Sequence, residues 1–283
     1  MIPDVVASHH KSVAQNVLDV ALKKAGLTMN DISLISFSQG PGLAPCLKET
    51  MVFSKQIAAT EKKPLIGVNH IAAHLEMGKL STGAQDPVHI FVSGANTQII
   101  VEDQGKYRVY GECLSAALGN ALDKFGRTAG LGFPAGPKIE ELAKKGKYVE
   151  LPYVVKGMDV DFSGIITKAE HLIRKGVSKE DLAFSLQETL FAMMAEVTER
   201  AMAHAGKKEA VVIGGVAANK RFCEMLGIMC RERDAKFFAC PMEYCGDNGA
   251  MIAWQGVLQR HKALKGKSIE NVDFRPRWRI DED

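Results

Sequence analysis

Short apolar strand runs alternate with helical periods twice along this chain, and only the second series opens with adjacent strands, an order that commits the fold to two related α/β units. In the first series Val13, Val17 and Ala21, with Ala14, Leu18 and Leu22 beside them, recur at helical spacing until Gly26, which predicts a helix over about residues 11 to 25. Leu34 to Phe37 reads as a strand running into the loop Ser38 to Gly42, and a second helix ends near Lys62-Lys63-Pro64. Leu65 to Val68 is the next strand, and Asn69 stands where an N-cap belongs for a helix over 70 to 80. The second series begins with strand runs at 88–94, 97–102 and 107–111, the last two joined at Gln104-Gly105, which is a three-stranded meander. A helix over 115–129, a Gly/Pro-rich loop over 130–137, a helix from Lys138 and an irregular segment at 156–159 come next. A long helix over 180–204 carries Ser178 and Asp181 as a capping box and stops at Gly206. Strand 211–213 breaks into Gly214-Gly215, Asn219 opens a helix, and strand 236–238 precedes a helix from Asp247 to about Leu264. We expect a first lobe of residues 1–87 completed by 254–283, and a second lobe of 88–253. Ligands of such parallel α/β units bind near the carboxyl ends of strands, so a cleft between the lobes is the expected site.

Composition excludes several classes. Lys and Arg number 36 against 33 Asp and Glu, with 46% hydrophobic residues, the balance of a globular protein. No apolar run approaches the ~18 residues of a spanning helix, and no basic-then-apolar leader opens the chain, so we expect no membrane association and a cytoplasmic location. The six cysteines, Cys46, Cys113, Cys223, Cys230, Cys240 and Cys245, form no C-x-x-C pair and predict free thiols. A net charge of +3 says little about nucleic acid, but Arg260, Lys262, Lys265, Lys267, Arg275, Arg277 and Arg279 concentrate positive charge near the C-terminus. Such a run is either a solvated tail or a phosphate-contacting surface.

His70 and His74 lie four residues apart, one turn along one helical face, where both imidazoles can reach one metal ion. Position 71 is Ile, so the Glu of the H-E-x-x-H protease signature is missing. Asp247, in Cys245-Gly246-Asp247-Asn248-Gly249, is either the N-cap of the following helix or a third ligand, which would make a two-His, one-carboxylate set suited to iron or zinc. The loops Ser93 to Thr97 and Gly214 to Asn219 each follow a strand and can cradle phosphate with backbone N–H groups, or serve as plain turns. Asp123 and Glu140, on helices flanking the loop 130–137, are either acceptors for ribose or amine groups or surface carboxylates. Met193, Met194 and Met202 read as core residues.

Taken together, His70-x-x-x-His74, Val92-Ser93-Gly94-Ala95-Asn96-Thr97-Gln98, Asn120-Ala121-Leu122-Asp123-Lys124, Lys156-Gly157-Met158-Asp159 with Phe162-Ser163-Gly164, Gly214-Gly215-Val216-Ala217-Ala218-Asn219-Lys220 and Cys245-Gly246-Asp247-Asn248-Gly249-Ala250 resemble, in order and over essentially the whole chain, the TsaD family of tRNA threonylcarbamoyl transferases. The Gly-Met-Asp variant resembles its archaeal and eukaryotic branch, the catalytic subunit of the KEOPS complex. The resemblance implies an actin-like (ASKHA) α/β fold of two related lobes with a central cleft. It implies transfer of the threonylcarbamoyl group from threonylcarbamoyl-AMP to N6 of the adenosine 3′ of the anticodon, in tRNAs that read codons beginning with A. Carried over residue by residue, it implies His70, His74 and Asp247 as ligands of one divalent metal ion, iron with zinc as the alternative. Phe91, Val92, Ser93, Gly94, Ala95, Asp123, Gly136, Glu140 and Asn219 become the substrate-binding positions, with ATP or another adenine nucleotide as a further ligand. The implied partners are tRNA and the KEOPS subunits: a kinase-like subunit, a small dimerising subunit and a regulator. No side chain is assigned as general base.

Three departures from the family pattern carry expectations. Phe91 stands where the family usually has a Tyr that contributes to the metal site, and Ala95 replaces a usual Gly. The family's opening strand hairpin, expected ahead of Ala7-Ser8-His9-His10, has no counterpart here, so the first lobe is expected to be incomplete, by a misassigned start or a truncation, with exposed strand edges. These departures sustain a second reading, a nucleotide-binding scaffold of the same complex with impaired catalysis. Metallopeptidase activity is a third reading, disfavoured by Ile71.

Overall fold

A computed structural model of the chain describes residues 2–282. Helix α1 (Pro3–Ala25) leads to strand β1 (Ile35–Gly40), helix α2 (Ala44–Thr60), strand β2 (Leu65–Asn69) and helix α3 (His70–Thr82). Strands β3 (Val88–Val92), β4 (Thr97–Asp103) and β5 (Lys106–Glu112) follow with no helix between them. Then come α4 (Leu118–Thr128), α5 (Gly136–Ala143), the short pair β6 (Val155–Lys156) and β7 (Asp159–Val160), α6 (Ser163–Arg174) and α7 (Lys179–Ala205). Strand β8 (Glu209–Ile213), α8 (Lys220–Glu232), β9 (Lys236–Ala239), the single turn α9 (Met242–Cys245) and α10 (Gly249–Leu258) complete the series. The described residues fall into two compact units, 2–77 with 247–282 and 78–246. The division thus passes through α3 and ahead of α10, whereas the expected lobes divide at 87/88 and 253/254. Met1 and Asp283, the outer ends of the expected first lobe, lie outside the described residues.

In the first unit β1 and β2 pair in parallel, Ile35 opposite Leu65 through Ser38 opposite Val68. Among the described residues β1 has a strand on one edge alone. Beneath this pair Phe37, Met51, Ala58, Leu65 and Ile269 form a core joined by Ile35, Val272 and Phe274, so the C-terminal segment seals the unit. Burial of Phe37 or Leu65 contributes about 1.5–3 kcal/mol each. A side chain at Gly40 would place Cβ 1.9 Å from the Arg275 carbonyl oxygen, so only glycine permits the approach in which Arg275 N–H donates to the Gln39 carbonyl at 2.8 Å.

Two boundaries here differ from expectation. Helix α1 starts at Pro3 rather than residue 11, because Pro is tolerated in the first turn and Asp4 there complements the helix dipole. Its end matches: Gly26 at φ 67° closes a Schellman pair, Gly26 N–H to Lys23 O and Leu27 N–H to Leu22 O. Helix α10 stops at Leu258, short of the expected 264, because Leu264 is extended and exchanges both backbone hydrogen bonds with Leu65, at 2.8 and 2.9 Å.

The second unit is built on a five-stranded sheet in the order β5-β4-β3-β8-β9, antiparallel across β3, β4 and β5 and parallel across β3, β8 and β9. The expected meander is present, and Gln104-Gly105, at φ 51° and 74°, make the turn at which two left-handed residues match the strand twist. Every residue of β3 is buried, and α7 packs on the sheet with Met193, Met194 and Met202 in the core. The Ser178–Asp181 capping box forms only in half. Ser178 Oγ accepts from Asp181 N–H at 3.0 Å, but the Asp181 carboxylate accepts from Lys147 N–H at 2.7 Å instead of returning to the cap. Helix α6 is an element that the sequence reading did not place; Ile165, Ile166 and Ala169 are its buried face. The six cysteines are all free thiols.

Candidate metal centre and nucleotide cradle

At the end of β2, Asn69 Oδ1 accepts from Ile71 N–H at 2.9 Å and Ala72 N–H at 3.1 Å, and this cap starts α3 at His70. The helical turn then stacks the two imidazoles edge to face, with ring centroids 4.9 Å apart. On the other side Asn248, not Asp247, is the N-cap of α10: its Oδ1 accepts from Met251 N–H at 2.9 Å. Asp247 is thereby released from capping, and its Oδ1 lies 3.3 Å from His70 Nε2 and 3.1 Å from His74 Nε2. The three donor atoms lie within 4.8 Å of one another. Bonds of about 2.0–2.2 Å to one ion separate neighbouring ligand atoms by roughly 3.0–3.5 Å, so the residues fit a divalent cation. The hydrogen bonds to His70 and His74 hold the Asp247 carboxyl well below the usual carboxylate range, against the opposing effect of burial, and keep it anionic.

Sequence reasoning missed Ser38. It occupies β1 beside β2, and its Oγ lies 3.4 Å from His70 Nδ1, the ring nitrogen turned away from Asp247. A group at that position fixes the ring's tautomer and orientation. The signal was a hydroxyl at the carboxyl end of a parallel strand. Ser38→Ala is expected to weaken metal binding about tenfold with the melting temperature unchanged, measured by competition with a chromophoric chelator.

The second unit holds a separate cavity of about 360 Å³ lined by Gly94, Asp123, Phe133, Gly136, Glu140 and Asn219, with Gly119, Leu122, Pro134, Pro137, Gly215, Val216, Ala218 and Met242. Five of the nine substrate positions, Gly94, Asp123, Gly136, Glu140 and Asn219, thus share one cavity. Phe91 and Val92 are buried in β3, and Ser93 and Ala95 lie outside the lining. Ser93 Oγ accepts from Ala95 N–H at 3.3 Å and Asn96 N–H at 3.0 Å, so part of the expected phosphate-cradling backbone is occupied within its own turn. The polar residues also brace the walls. Asp123 Oδ1 accepts from Ala135 N–H at 2.7 Å, and Glu140 Oε1 accepts from Lys220 N–H at 2.9 Å. Asn219 caps α8 through Phe222 N–H at 3.0 Å and donates to Gln187 Oε1 at 3.0 Å. Among the described residues each of these two carboxylates retains one oxygen without a protein hydrogen bond.

Two glycines make this architecture possible. A Cβ at Gly214, at φ 103°, would lie 2.2 Å from the Val92 carbonyl oxygen, and one at Gly119 would lie 2.8 Å from the Ser93 carbonyl oxygen. Gly214 lets the turn after β8, and Gly119 the first turn of α4, close on the end of β3. Phe133, missed in the sequence, stands 83% exposed on the cavity lining.

Solved structures similar to the chain establish its class. HypF of Thermococcus kodakarensis matches with a TM-score of 0.63 at 17% identity, over 86% of this chain and 42% of that one. The activator of 2-hydroxyisocaproyl-CoA dehydratase from Clostridium difficile matches with a TM-score of 0.51 at 12% identity, over 89% of this chain and 84% of that one. The fold shared with them is the actin-like (ASKHA) α/β fold. A sequence model of the TsaD family, tRNA N6-adenosine threonylcarbamoyltransferase, matches residues 1–254. Curated relatives carrying that description in Thermococcus kodakarensis and Archaeoglobus fulgidus are each 50% identical over 99% of this chain and 86% of their own length. A probable bifunctional tRNA threonylcarbamoyladenosine biosynthesis protein of Methanobrevibacter smithii is 49% identical over 99% of this chain, which spans 52% of that relative. The chain belongs to the TsaD family, transferases of tRNA threonylcarbamoyladenosine biosynthesis. Among the described residues no helix is long and apolar enough to cross a membrane.

Proposed function

We propose that this chain performs threonylcarbamoyl transfer, with threonylcarbamoyl-AMP and tRNA as substrates. The observation that carries this reading is the convergence of His70, His74 and Asp247 on one point within 4.8 Å. In the reaction, the N6 nitrogen of adenosine forms a bond to the carbamoyl carbon, the bond from that carbon to the phosphate oxygen breaks, AMP leaves, and the N6 nitrogen gives up a proton. His70, His74 and Asp247 would hold a divalent ion, iron first and zinc second, which when bound would supply Lewis-acid polarisation of the donor's oxygens. Gly94, Asp123, Gly136, Glu140 and Asn219 bind the adenylate: the glycines admit it to the backbone, and the free carboxylate oxygens accept from ribose hydroxyls or the adenine amine. Phe91, Val92, Ser93 and Ala95 act as the strand and turn that hold this cradle rather than as contacts, and ATP is a second ligand of the same pocket. The chain works in the cytoplasm with a kinase-like, a small dimerising and a regulatory subunit of the KEOPS type, its first lobe being 1–87 with 254–283 and its second 88–253.

The test is transfer of labelled threonylcarbamate to an unmodified tRNA transcript, with the partner subunits present, by this chain and by a form extended upstream to any earlier in-frame start. Labelled tRNA from either form supports the reading. Adenylate binding without transfer by both would identify the impaired scaffold, for which Phe91 at the usual Tyr position is the supporting feature.

A further inference from the structure

The basic C-terminal stretch divides into two chemically different halves. Arg275 pairs with Glu282 at 3.2 Å and lies 4.1 Å over the Trp278 ring, and Arg279 pairs with Asp281 at 3.0 Å, so these charges are neutralised locally. Lys265 and Lys267 instead join Lys55, Lys62 and Lys63 around a cavity of about 630 Å³ in the first unit, floored by Ala58, Ala59, Pro64 and Ile269. One carboxylate, Glu270, lines it against five lysines. Lys55 Nζ donates to the Glu270 carbonyl at 3.0 Å and Lys63 Nζ to the Asn30 carbonyl at 3.3 Å, contacts that fix the ammonium groups without cancelling their charge. Lys62, Lys265 and Lys267 are exposed, and among the described residues no carboxylate lies within ion-pair distance of them.

Lysines at the end of α2 answer its dipole, which explains Lys62 and Lys63. It does not explain why Lys265 and Lys267 arrive at the same cavity from the far end of the chain without an acidic partner. We infer that this lysine-ringed cavity is a docking surface for the phosphodiester backbone of the RNA substrate. Lysines are compact point charges that suit phosphate oxygens and carry no base information, so the surface positions the RNA rather than reading it. Its placement agrees: Pro64 borders the cavity and His70 follows the far end of β2, about 17 Å away along five residues of strand. The inference rests on the transferase reading for the identity of the polyanion.

The test is binding of an unmodified tRNA transcript to the full chain by fluorescence anisotropy across salt concentrations. The triple variant Lys62→Gln, Lys265→Gln, Lys267→Gln is expected to lower the slope of log affinity against log salt by about 2–3, and affinity near 0.1 M salt by roughly 10²-fold. The corresponding triple Lys→Arg variant retains the slope, which separates charge from folding. An unchanged slope in the Gln variant overturns the inference, as does an equal loss on neutralising exposed Lys106, Lys168 and Lys175 of the other unit. With partner subunits present, a raised KM for tRNA at unchanged kcat supports both the surface and the transferase reading. Loss of slope in a chain that never transfers threonylcarbamate leaves the RNA surface standing and refutes the transferase reading alone.

Discussion

Replacing His74 with Ala is expected to strip the chain of its divalent metal and to reduce threonylcarbamoyl transfer to background. His74 is the most buried of the three donors, with 3% of its side chain exposed, and its Nε2 makes the shorter of the two approaches to Asp247. Removing it leaves one imidazole and one carboxylate, a pair that water and free ligands compete with readily. The loss in metal affinity should therefore exceed the roughly 100-fold that removal of a supporting partner costs. Asp247→Asn is expected to act as strongly by another route: the side chain keeps its shape, but the anion that two imidazoles hold ionised becomes a neutral amide. Metal content by mass spectrometry and transfer at saturating tRNA are the measurements. Because Asn248 rather than Asp247 caps α10, Asp247→Asn leaves that cap in place, and the far-UV circular dichroism of the metal-free variant should match that of the metal-free parent. Full transfer by either variant with a metal-free protein would refute the assignment.

The cluster of His70, His74 and Asp247 was legible in the sequence because its pieces obey local rules. Two histidines at helical spacing behind an Asn cap need only α3 to form, and of the two roles open to Asp247, cap or ligand, the cap is taken by Asn248. The meander was legible for the same reason, since alternation and a Gln-Gly turn specify it within 25 residues. What could not be read were choices fixed by distant contacts. Helix α10 ends early because Leu264 is recruited as a partner of Leu65, 199 positions away in sequence. The carboxylate of Asp181 leaves its capping box for Lys147, and Ser93 spends its hydroxyl inside its own turn, so a motif read as phosphate-cradling is partly self-satisfied. The basic tail shows the same limit: seven cations spread over residues 260–279 gave no sign that Arg275 and Arg279 are paired while Lys265 and Lys267 join a lysine cluster in and just beyond α2.

A second large effect concerns stability in acid. His89 sits in the middle of β3, wholly buried, with neither ring nitrogen hydrogen-bonded and Tyr107 packed edge-on at 5.9 Å. Burial, then the charges of Lys79 and Lys207, lower its pKa to about 3. Those lysines are themselves held in place, Lys79 by Glu102 at 3.0 Å and Lys207 by Asp86, so the positive surroundings persist as the pH falls. In the unfolded chain His89 takes a proton near pH 6.5, while the folded state refuses it until about 3. The unfolded state therefore binds more protons throughout that window, and folding stability contributed by this position is constant above pH 6.5 and declines by about 1.4 kcal/mol for each unit below it. His89→Leu removes the proton difference and the two unsatisfied nitrogens together. The variant is expected to be more stable than the parent by about 1–3 kcal/mol at pH 7.5, where only the polar burial counts, and by about 3 kcal/mol more at pH 4.3. Urea unfolding of both proteins between pH 4 and 8 measures the difference directly, and other titrating groups, common to the two chains, cancel. A gap that stays constant with pH would mean that His89 binds its proton in the folded sheet, and would require β3 to open to water at that point.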